Sequence, residues 1–524
     1  MNIHSDQSTS MINRARRNTL GDLLTRTVAR YPEKTALTYN KRSVTYQQLD
    51  DLVNQTAHGL MERGVKKENK FVVLSKNCLD FVIVKFALAR IGAVFIPINY
   101  MLTTSDIAYI LNHAEVDGMF AAEEYAPTLD KASQNLSIKH HYLLESDTNL
   151  KEWSSLSTLQ QNQSTEPVEA DIADDDLAQI LYTSGTESAP KGVMLSHKSI
   201  INEYISCIID GKMSSEDVLV HALPFYHSAQ LHVFLGPSIY LGSSGIILDE
   251  ANPSKIMETI ENHQASQLFA PPTVWIAMLH HPEFDNFQLT SLKKCYYGAA
   301  IMPREILREL AKRLPNSRFW NFYGQTEVAP LATALQPEDQ LRKLGSAGKP
   351  TLHVETKIVD ENDIEVPRGE IGEIVHRTPH AMLGYLKEPE KTAEAYQNGW
   401  FHSGDLGTMD EDGYITIIDR KKDIINTGGI NVSSREVEEV IYQMKEVAEV
   451  AVISIPHDYW IEAITAIIVL KDNNSLSEQA VQNYCKQELS AFKSPKFVYF
   501  TETLPKNPSG KVLKKDLRTL YEAK

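Results

Sequence analysis

Cysteine is scarce in this sequence, and the few cysteines lie far apart. Among 524 residues there are four, at positions 78, 207, 295 and 485. Their spacing forms neither a metal-binding motif nor a disulfide framework, which favours a reducing compartment. Residues 1–18 contain no apolar segment of the kind that a secretory signal carries. We therefore expect a cytoplasmic protein.

Long apolar runs and an excess of positive charge are also missing. The longest apolar stretch, residues 79–98, is interrupted by Asp80, Lys85 and Arg90, so it fails the test for a transmembrane helix. The formal net charge of −16 argues against nucleic acid or an anionic membrane surface as the main partner. A local patch for an anionic ligand stays open, because residues 486–524 hold nine Lys or Arg and four Asp or Glu.

The pattern of apolar segments predicts the secondary structure. Residues 71–98 hold two short apolar runs around a segment of helical length that ends at Gly92, which indicates a parallel β-α-β unit. From about residue 345 to residue 420, β-rich runs separated by Gly and Asp indicate an antiparallel sheet. Beyond residue 420 we expect a helix with a capping box formed by Ser433 and Glu436, strands near 448–455 and 463–470, a helix near 476–490 and a strand at 496–500.

The segment ILYTSGTESAPKGVMLSH, residues 180–197, has the composition of an anion-binding turn. It offers hydroxyl groups, a glycine that allows close approach of the backbone, and a lysine charge, from Thr183, Ser184, Gly185, Thr186 and Lys191. A Walker loop is excluded, because the glycine before the lysine and the hydroxyl residue after it are both missing. Taken alone, the segment fits a phosphate cradle and a Ser/Thr-rich surface turn equally well.

Further motifs follow in a fixed order along the chain. They are NFYGQTE at 321–327, GWFHSGDLG at 399–407, DRKKDIINTGGINVSSREVE at 419–438 and LPKNPSGKVLK at 504–514. With the 182–192 segment they resemble the five motifs of the adenylate-forming superfamily, which includes acyl-CoA synthetases, peptide-synthetase adenylation domains and luciferases. The resemblance covers nearly the whole chain from about residue 19. Glu187 and Ser188 depart from it, where the family has Thr and Gly.

The resemblance implies an α/β fold in two domains. A large N-terminal domain, residues 1–420, would hold parallel and mixed sheets and a β-rich subdomain over about 345–420. A small mobile α+β domain would follow over 421–524, with the hinge near Lys422.

The resemblance also implies that ATP and Mg²⁺ convert a carboxylate into an acyl-adenylate. Lys511, Thr326, Glu327 and His227 would be catalytic, and Thr186 and Glu327 would hold the metal. Nucleotide binding would fall to Thr183, Ser184, Gly185, Thr186, Lys191, Gly298, Ala299, Ala300, Asn321, Phe322, Tyr323, Gly324, Thr326, Asp405, Ile417, Arg420 and Lys511. Thr326 would reach the α-phosphate, and Asp405 would accept hydrogen bonds from the ribose hydroxyl groups with Arg420 beside it. Lys511 would be the adenylation lysine, and its flexible stem suits a charge that a mobile domain delivers.

The motifs say less about the acceptor of the acyl group and about the carboxylic acid substrate. Gly428 and Gly429 would line a tunnel for coenzyme A, which favours a CoA synthetase over the luciferases. His227, Gly298 and Ala299 would line the acyl pocket, with His227 as a movable gate or a contact for the substrate carboxylate. The small size of Gly298 and Ala299 would leave room for a long pocket. Apolar residues after His227 favour a medium- or long-chain fatty acid, and an aryl acid such as a coumarate or benzoate is the alternative.

Three further alternatives stay open at this stage. The chain could load a carrier protein, although no carrier domain follows residue 524 in this sequence. It could also be a non-catalytic ATP-binding relative, in which case Glu187 would be the substitution that indicates the loss of activity. The oligomeric state is open as well, and a homodimer is one possibility. We expect Glu187 to lie at the tip of the loop, facing solvent or Lys191, and to leave the phosphate-facing hydroxyl groups intact.

Overall fold

The computed structural model describes residues 6–183, 190–298, 300, 302–471, 474–506 and 512–522, with side chains from residue 11 onward. The chain divides into two compact units. The first unit holds the residues up to 355 together with 377–394, and the second unit holds 356–376 together with the residues from 395 onward. The predicted antiparallel region therefore groups largely with the C-terminal hundred residues, and the domain boundary near residue 420 stays a prediction.

Helices occur in both units. They are α1 Asp6–Arg16, α2 Leu20–Arg30, α3 Tyr46–Glu62, α4 Leu79–Ile91, α5 Thr104–Ala114, α6 Ala126–Ala132, α7 Leu156–Gln160, α8 His197–Asp210, α9 Gly236–Leu241, α10 Pro253–His263, α11 Pro272–Leu279, α12 Arg304–Arg313, α13 Pro389–Ala395, α14 Ser434–Tyr442, α15 Glu478–Glu488 and α16 Lys514–Tyr521. A π-helical segment, Ala229–Leu235, precedes α9. No helix in the described ranges combines the length and the apolar character needed to span a bilayer.

The strands up to residue 350 are β1 Thr35–Tyr39, β2 Arg42–Thr45, β3 Lys70–Leu74, β4 Val94–Pro97, β5 Gly118–Ala122, β6 His140–Leu144, β7 Ser154–Ser155, β8 Leu177–Thr183, β9 Lys191–Ser196, β10 Val218–His221, β11 Ser244–Ile247, β12 Gln267–Phe269, β13 Lys294–Gly298, β14 Arg318–Gly324, β15 Leu331–Leu335 and β16 Lys349–Pro350. Those that follow are β17 Glu355–Val359, β18 Gly372–Arg377, β19 Gly384–Tyr385, β20 Tyr396–Gln397, β21 Trp400–Met409, β22 Ile415–Arg420, β23 Ile425–Thr427, β24 Ile430–Val432, β25 Val447–His457, β26 Ile461–Leu470 and β27 Phe497–Phe500.

The first unit is built on two mixed sheets. One has the strand order β16-β15-β14-β13-β12-β10-β11-β1-β2, and the other has the order β19-β9-β8-β4-β3-β5-β6-β7. Their central strands are parallel, whereas β14 pairs with β15, and β8 with β9, in antiparallel fashion. The β3-α4-β4 unit confirms the predicted parallel crossover. Every residue of α4 is buried, and Gly92 ends the helix with a φ of 71°.

The second unit contains two smaller sheets. One has the order β17-β18-β21-β20 with β22 beside β21, and the other has the order β24-β23-β26-β25 with β27 beside β26. Helices α14 and α15 pack on the second sheet through an apolar core that includes Val437, Ile441, Ile464 and Val481. An α/β fold with mixed sheets, a β-rich part and a C-terminal α+β part is thus confirmed.

Element boundaries differ from the sequence-based expectations in detail. β25 and β26 are longer than predicted, and α15 is shorter. Ser433 caps α14 as expected, because its hydroxyl accepts a 3.2 Å hydrogen bond from the Glu436 amide. The reciprocal half of the capping box is not observed among the described contacts: the Glu436 carboxylate instead pairs with Lys493 at 2.6 Å. A long-range ion pair has taken the place of a local backbone contact.

Candidate active site

The predicted anion-binding turn is framed by an antiparallel hairpin. β8 leads into it and β9 leads out, with Thr183 opposite Lys191 in the register. Both of these residues are half-buried. Ser184, Gly185 and Thr186 lie outside the described residues, as do Glu187 and Ser188. The hairpin therefore defines where the turn begins and ends, and the roles given to its inner residues stay predictions.

Lys191, Tyr385 and Glu327 come together beside this hairpin. β19 pairs with β9, with Tyr385 opposite Val193. The Lys191 Nζ lies 4.7 Å from the centroid of the Tyr385 ring, and the Tyr385 hydroxyl donates a 2.9 Å hydrogen bond to Glu327 Oε1. Sequence reasoning missed Tyr385, because nothing in the local pattern around it points to a residue 58 positions away.

Thr326 and Glu327 lie in a short 3₁₀ turn, Thr326–Val328, which joins β14 to β15. The Thr326 hydroxyl is 3.2 Å from that of the buried Ser228. Ser228 directly follows His227, whose backbone carbonyl accepts a hydrogen bond from the Leu231 amide at the start of the π-helical segment. The structure therefore brings the predicted gate segment next to the predicted phosphate-contacting turn. π-Helical turns occur frequently at functional sites.

The ends of two neighbouring parallel strands form the adjacent wall. Gly298 pairs with Phe322, so β13 and β14 end side by side. A Cβ at Gly298 would lie 2.3 Å from the Phe322 carbonyl oxygen, and this close approach is a packing reason for the glycine. Tyr323 is half-buried, Ala300 is exposed, and Ala299 lies outside the described residues.

Two further positions on β14 have clear structural partners. The side-chain amide of Asn321 donates a 3.0 Å hydrogen bond from Nδ2 to the Ser346 carbonyl. A Cβ at Gly324 would lie 1.7 Å from the Pro330 carbonyl oxygen, so only glycine fits there. Both residues shape the strand end from which the Thr326–Val328 turn departs, and their predicted contact with a nucleotide is not needed to explain them.

Glu327 has the chemistry expected of a ligand to a hard divalent cation. Its carboxylate is half-buried, and it accepts a hydrogen bond from the neutral phenol of Tyr385. The described residues contain no group of three or more His, Cys, Asp or Glu side chains that could hold a metal. One carboxylate completed by water and phosphate oxygens is a common arrangement for Mg²⁺, so Glu327 fits the predicted metal role.

In the second unit, Asp405 and Arg420 form an ion pair. They lie opposite each other on β21 and β22, and Arg420 Nε is 2.7 Å from Asp405 Oδ1. The Asp405 residue is 4% exposed, whereas the Arg420 side chain is 35% exposed. Ile417 lies on the same strand as Arg420 and is half-buried. The pair presents a fixed carboxylate, which suits the predicted contact with ribose hydroxyl groups.

Gly428 and Gly429 form the turn between β23 and β24. Their φ angles are 62° and 85°, which favour glycine at both positions of a tight hairpin. The Gly428 amide donates a 2.6 Å hydrogen bond to the Trp460 carbonyl. Among the residues that the structure describes, no heavy atom lies within 4 Å of a Cβ placed at Gly429. The turn is therefore narrow, exposed and attached to Trp460.

Trp460 also lines a cavity of about 350 Å³ together with His457, Lys486 and Lys496. The Lys496 Nζ lies 4.6 Å from the centroid of the Trp460 ring. Burial and the charge of Lys486 lower the pKa of Lys496, because both disfavour its protonated form. An aromatic face among basic groups suits an anionic ligand with an aromatic base. The sequence had indicated only the excess of positive charge in this region.

Lys511 lies outside the described residues, but the chain around it is well anchored. Lys506 and Val512 form an isolated β-bridge. Just beyond it, Lys514 Nζ is 2.8 Å from Glu438 on α14, and Arg518 is 2.6 Å from Asp423. Burial raises the pKa of Glu438 even though Lys514 opposes that shift. Lys422, the predicted hinge, is exposed.

Known proteins resemble this chain over nearly its whole length. A family model described as AMP-binding enzyme matches residues 24–386, and a model of the AMP-binding enzyme C-terminal domain matches residues 436–511. The long-chain-fatty-acid–CoA ligase FadD13 of Mycobacterium tuberculosis is 32% identical over 92% of this chain and 93% of its own. Feruloyl-CoA synthase of an Amycolatopsis species is 30% identical over 96% of this chain and 99% of its own. The crystal structure of ATP-bound MatB from Rhodopseudomonas palustris has a TM-score of 0.88 at 29% identity, over 96% of this chain and 99% of its own.

Proposed function

This chain belongs to the AMP-binding enzyme family as an AMP-forming acid–thiol ligase, and we propose that its acid is a medium- or long-chain fatty acid and its acceptor free coenzyme A. In the first step a carboxylate oxygen attacks the α-phosphorus of ATP. The bond between this phosphorus and the oxygen that bridges the α- and β-phosphates breaks, and pyrophosphate leaves. In the second step the CoA thiolate attacks the acyl carbonyl and AMP leaves.

The cluster of Lys191, Tyr385 and Glu327 is the observation that supports the adenylation step most strongly. It places a cation over the ring of one phenol and a carboxylate at its hydroxyl group, and the phosphates of a nucleotide need both a positive charge and a metal ligand. A divalent metal bound at Glu327 would offset negative charge on the phosphates. Lys511 and the residues of the 184–186 turn would supply the remaining positive charge and hydrogen bonds.

The choice of acid is supported by the apolar surroundings of the predicted gate. The π-helical segment after His227 carries Val233, Phe234 and Leu235, all buried. Phe234 stacks on Phe269 with ring centroids 4.5 Å apart and also contacts Tyr296. Apolar surroundings of this kind favour a substrate without charge on its distal end. A long-chain-fatty-acid ligase is among the relatives, while feruloyl-CoA synthase keeps an aryl acid as the second candidate.

Free CoA as the acceptor is supported by the cavity in the second unit. Its lining combines Trp460 with Lys486 and Lys496, which suit the adenine ring and the phosphates of CoA. The Gly428–Gly429 turn is attached to the same Trp460 and is narrow enough to lie along a pantetheine arm. A cytoplasmic location and a homodimer stay predictions from the sequence.

The test is a comparison of kcat/KM for CoA-dependent AMP release across decanoate, palmitate, ferulate, 4-coumarate and benzoate. We expect the two fatty acids to exceed the aryl acids by about tenfold or more, which is the discrimination that one or two buried methylene groups provide. A higher value for ferulate or coumarate would establish the aryl alternative. Acyl transfer to a phosphopantetheinylated carrier protein, with little transfer to CoA, would overturn the choice of acceptor.

A further inference from the structure

The backbone of the turn that carries Thr326 and Glu327 is also held by hydrogen bonds from the segment 380–382. The Met382 amide donates a 2.8 Å hydrogen bond to the Glu327 carbonyl. The His380 Nδ1–H donates a 2.6 Å hydrogen bond to the Val328 carbonyl. The backbone of the turn is thus fixed by the segment 380–382, independently of the Tyr385 contact with the Glu327 side chain.

A buried carboxyl group on α8 completes this support. Glu203 Oε1 accepts a 2.9 Å hydrogen bond from the Leu331 amide, at the point where the turn enters β15. The same oxygen accepts a 3.2 Å hydrogen bond from the Cys207 thiol. Glu203 Oε2 lies 3.4 Å from His380 Nδ1, and both side chains are 0% exposed. Glu203 and His380 therefore contact each other and hold the two ends of residues 328–331.

The electrostatics indicate that this is a neutral pair. Burial raises the pKa of Glu203 to about 8, although its bonds with Leu331 and Cys207 oppose the shift. Burial lowers the pKa of His380 to about 4. A protonated carboxyl group keeps one oxygen as a hydrogen-bond acceptor without the cost of a buried charge. The Val328 carbonyl can only accept, so the neutral His380 ring carries its proton on Nδ1.

We propose that Glu203 and His380 are positioning residues for adenylation, which hold the Thr326–Leu331 turn so that Thr326 and Glu327 face the nucleotide phosphates. This inference rests on the proposed function and deepens it. Neither side chain touches the reacting atoms: Glu203 acts through the Leu331 amide, and His380 acts through the Val328 carbonyl. A displacement of the turn by about 1 Å is enough to lower a rate by about a hundredfold.

The test measures acid-dependent exchange of pyrophosphate into ATP for Glu203→Met, Glu203→Gln and His380→Leu. Methionine has a similar length but no strong acceptor for the Leu331 amide, and we expect kcat to fall about tenfold or more. The KM for ATP should stay within about threefold, because a change in kcat alone indicates a group needed only in the transition state. Glutamine keeps the acceptor oxygen, so Glu203→Gln should retain kcat within about threefold of the wild type. His380→Leu should resemble Glu203→Met, and combining the two should cost less than the product of their separate effects.

Ser206→Ala is the matched control, because Ser206 is buried on the same helix and its hydroxyl has no hydrogen-bond partner among the described residues. It should leave both constants unchanged. Wild-type kcat in Glu203→Met and in His380→Leu would overturn the proposal. So would a melting temperature that falls in parallel with activity in every variant, Glu203→Gln included, since the contacts would then serve stability alone. Absence of exchange in the wild-type enzyme with every acid tested would instead refute the proposed function, so the two failures are distinguishable.

Discussion

The hydroxyl group of Tyr385 donates a 2.9 Å hydrogen bond to the carboxylate of Glu327, and this contact joins the hairpin that bears Lys191 to the turn that bears Thr326. A hydrogen bond to a charged group contributes about 1.5–3 kcal/mol. We predict that Tyr385→Phe lowers kcat for adenylation by about tenfold, because Glu327 loses its fixed orientation. Steady-state rates over a range of Mg²⁺ concentrations would measure the effect.

Tyr46→Phe is a suitable control for Tyr385→Phe. Tyr46 is buried and donates a 2.6 Å hydrogen bond to the Ser243 carbonyl on a different part of the first unit. It should lower the melting temperature and leave the kinetic constants unchanged. Equal kinetic effects in the two variants would mean that the Tyr385 contact has no specific role at the site.

The ion pair between Asp405 and Arg420 leads to a prediction about ATP affinity. Removing Arg420 takes away the partner that lies 2.7 Å from the buried Asp405 carboxylate. This carboxylate, which would accept hydrogen bonds from the ribose, then loses its fixed orientation. We expect Arg420→Ala to raise the KM for ATP by about tenfold or more, equivalent to about 1.4 kcal/mol. Arg308→Ala, which removes an exposed pair with Glu305, should change the KM by less than about twofold.

The Gly428–Gly429 turn predicts a separation of the two half-reactions. Gly429→Leu places a bulky side chain in open space on the face of the turn, where it would obstruct a pantetheine arm. We expect adenylate formation to persist and thioester formation to be lost. Gly413→Leu imposes the same backbone strain, at a φ of 82°, in a different turn of the second unit, and it should leave both steps intact. If adenylation fails first in Gly429→Leu, the turn has another role.

Lys511 should matter for the first half-reaction alone. Lys511→Ala removes a charge expected at the α-phosphate, and loss of such a group lowers rates by about a hundredfold or more. The variant should still convert presynthesised acyl-adenylate into thioester. Lys515→Ala, at an exposed position on α16, is the control and should affect neither step. Equal damage to both steps in Lys511→Ala would refute the assignment.

Lys85 predicts an unusual dependence of stability on pH. Its side chain is buried in α4 and donates a 3.1 Å hydrogen bond to Tyr204, and burial lowers its pKa to about 7. Between that value and the ordinary lysine pKa near 10.5, the unfolded chain binds a proton that the folded chain does not. Stability contributed by this site therefore rises with pH across that window.

We expect Lys85→Met to raise the melting temperature by about 2 °C or more at pH 7. The gain should shrink as the pH approaches 10, because the wild-type penalty disappears there. Calorimetry at pH 7, 8.5 and 10 would measure this trend. Lys312→Met, at an exposed helix position, should show no such trend. A gain independent of pH would mean that Lys85 is charged in the folded protein.

The sequence predicted those features that depend on neighbouring residues. Gly92 ends α4 because a left-handed residue is needed there, and the two glycines of the β23–β24 turn follow from the same requirement. The pairing of Asp405 with Arg420 was also anticipated, since both lie in recognisable motifs. For the glycines a short stretch of chain contains the whole physical reason, whereas the placement of Arg420 beside Asp405 came from the resemblance to a family.

Other parts of the site could not be predicted, because the residues that contact each other there are far apart in the chain. The role of Tyr385 depends on its contact with a carboxylate 58 positions away. The role of Glu203 depends on its contact with the Leu331 amide, 128 positions away. A buried carboxyl group also contradicts the usual preference of Glu for the surface, so no pattern would have indicated it. Gly298 was assigned to a pocket for its small size, whereas the neighbouring strand supplies a reason of its own.

Acid-dependent exchange of labelled pyrophosphate into ATP, measured without CoA, tests the central claim most directly. Adenylation is reversible, so an enzyme that forms an acyl-adenylate must return label to ATP when its acid is present. We predict exchange with decanoate or palmitate, none without an acid, and AMP as the sole nucleotide product once CoA is added. Label that fails to enter ATP with any acid, or release of ADP in place of AMP, would contradict the account.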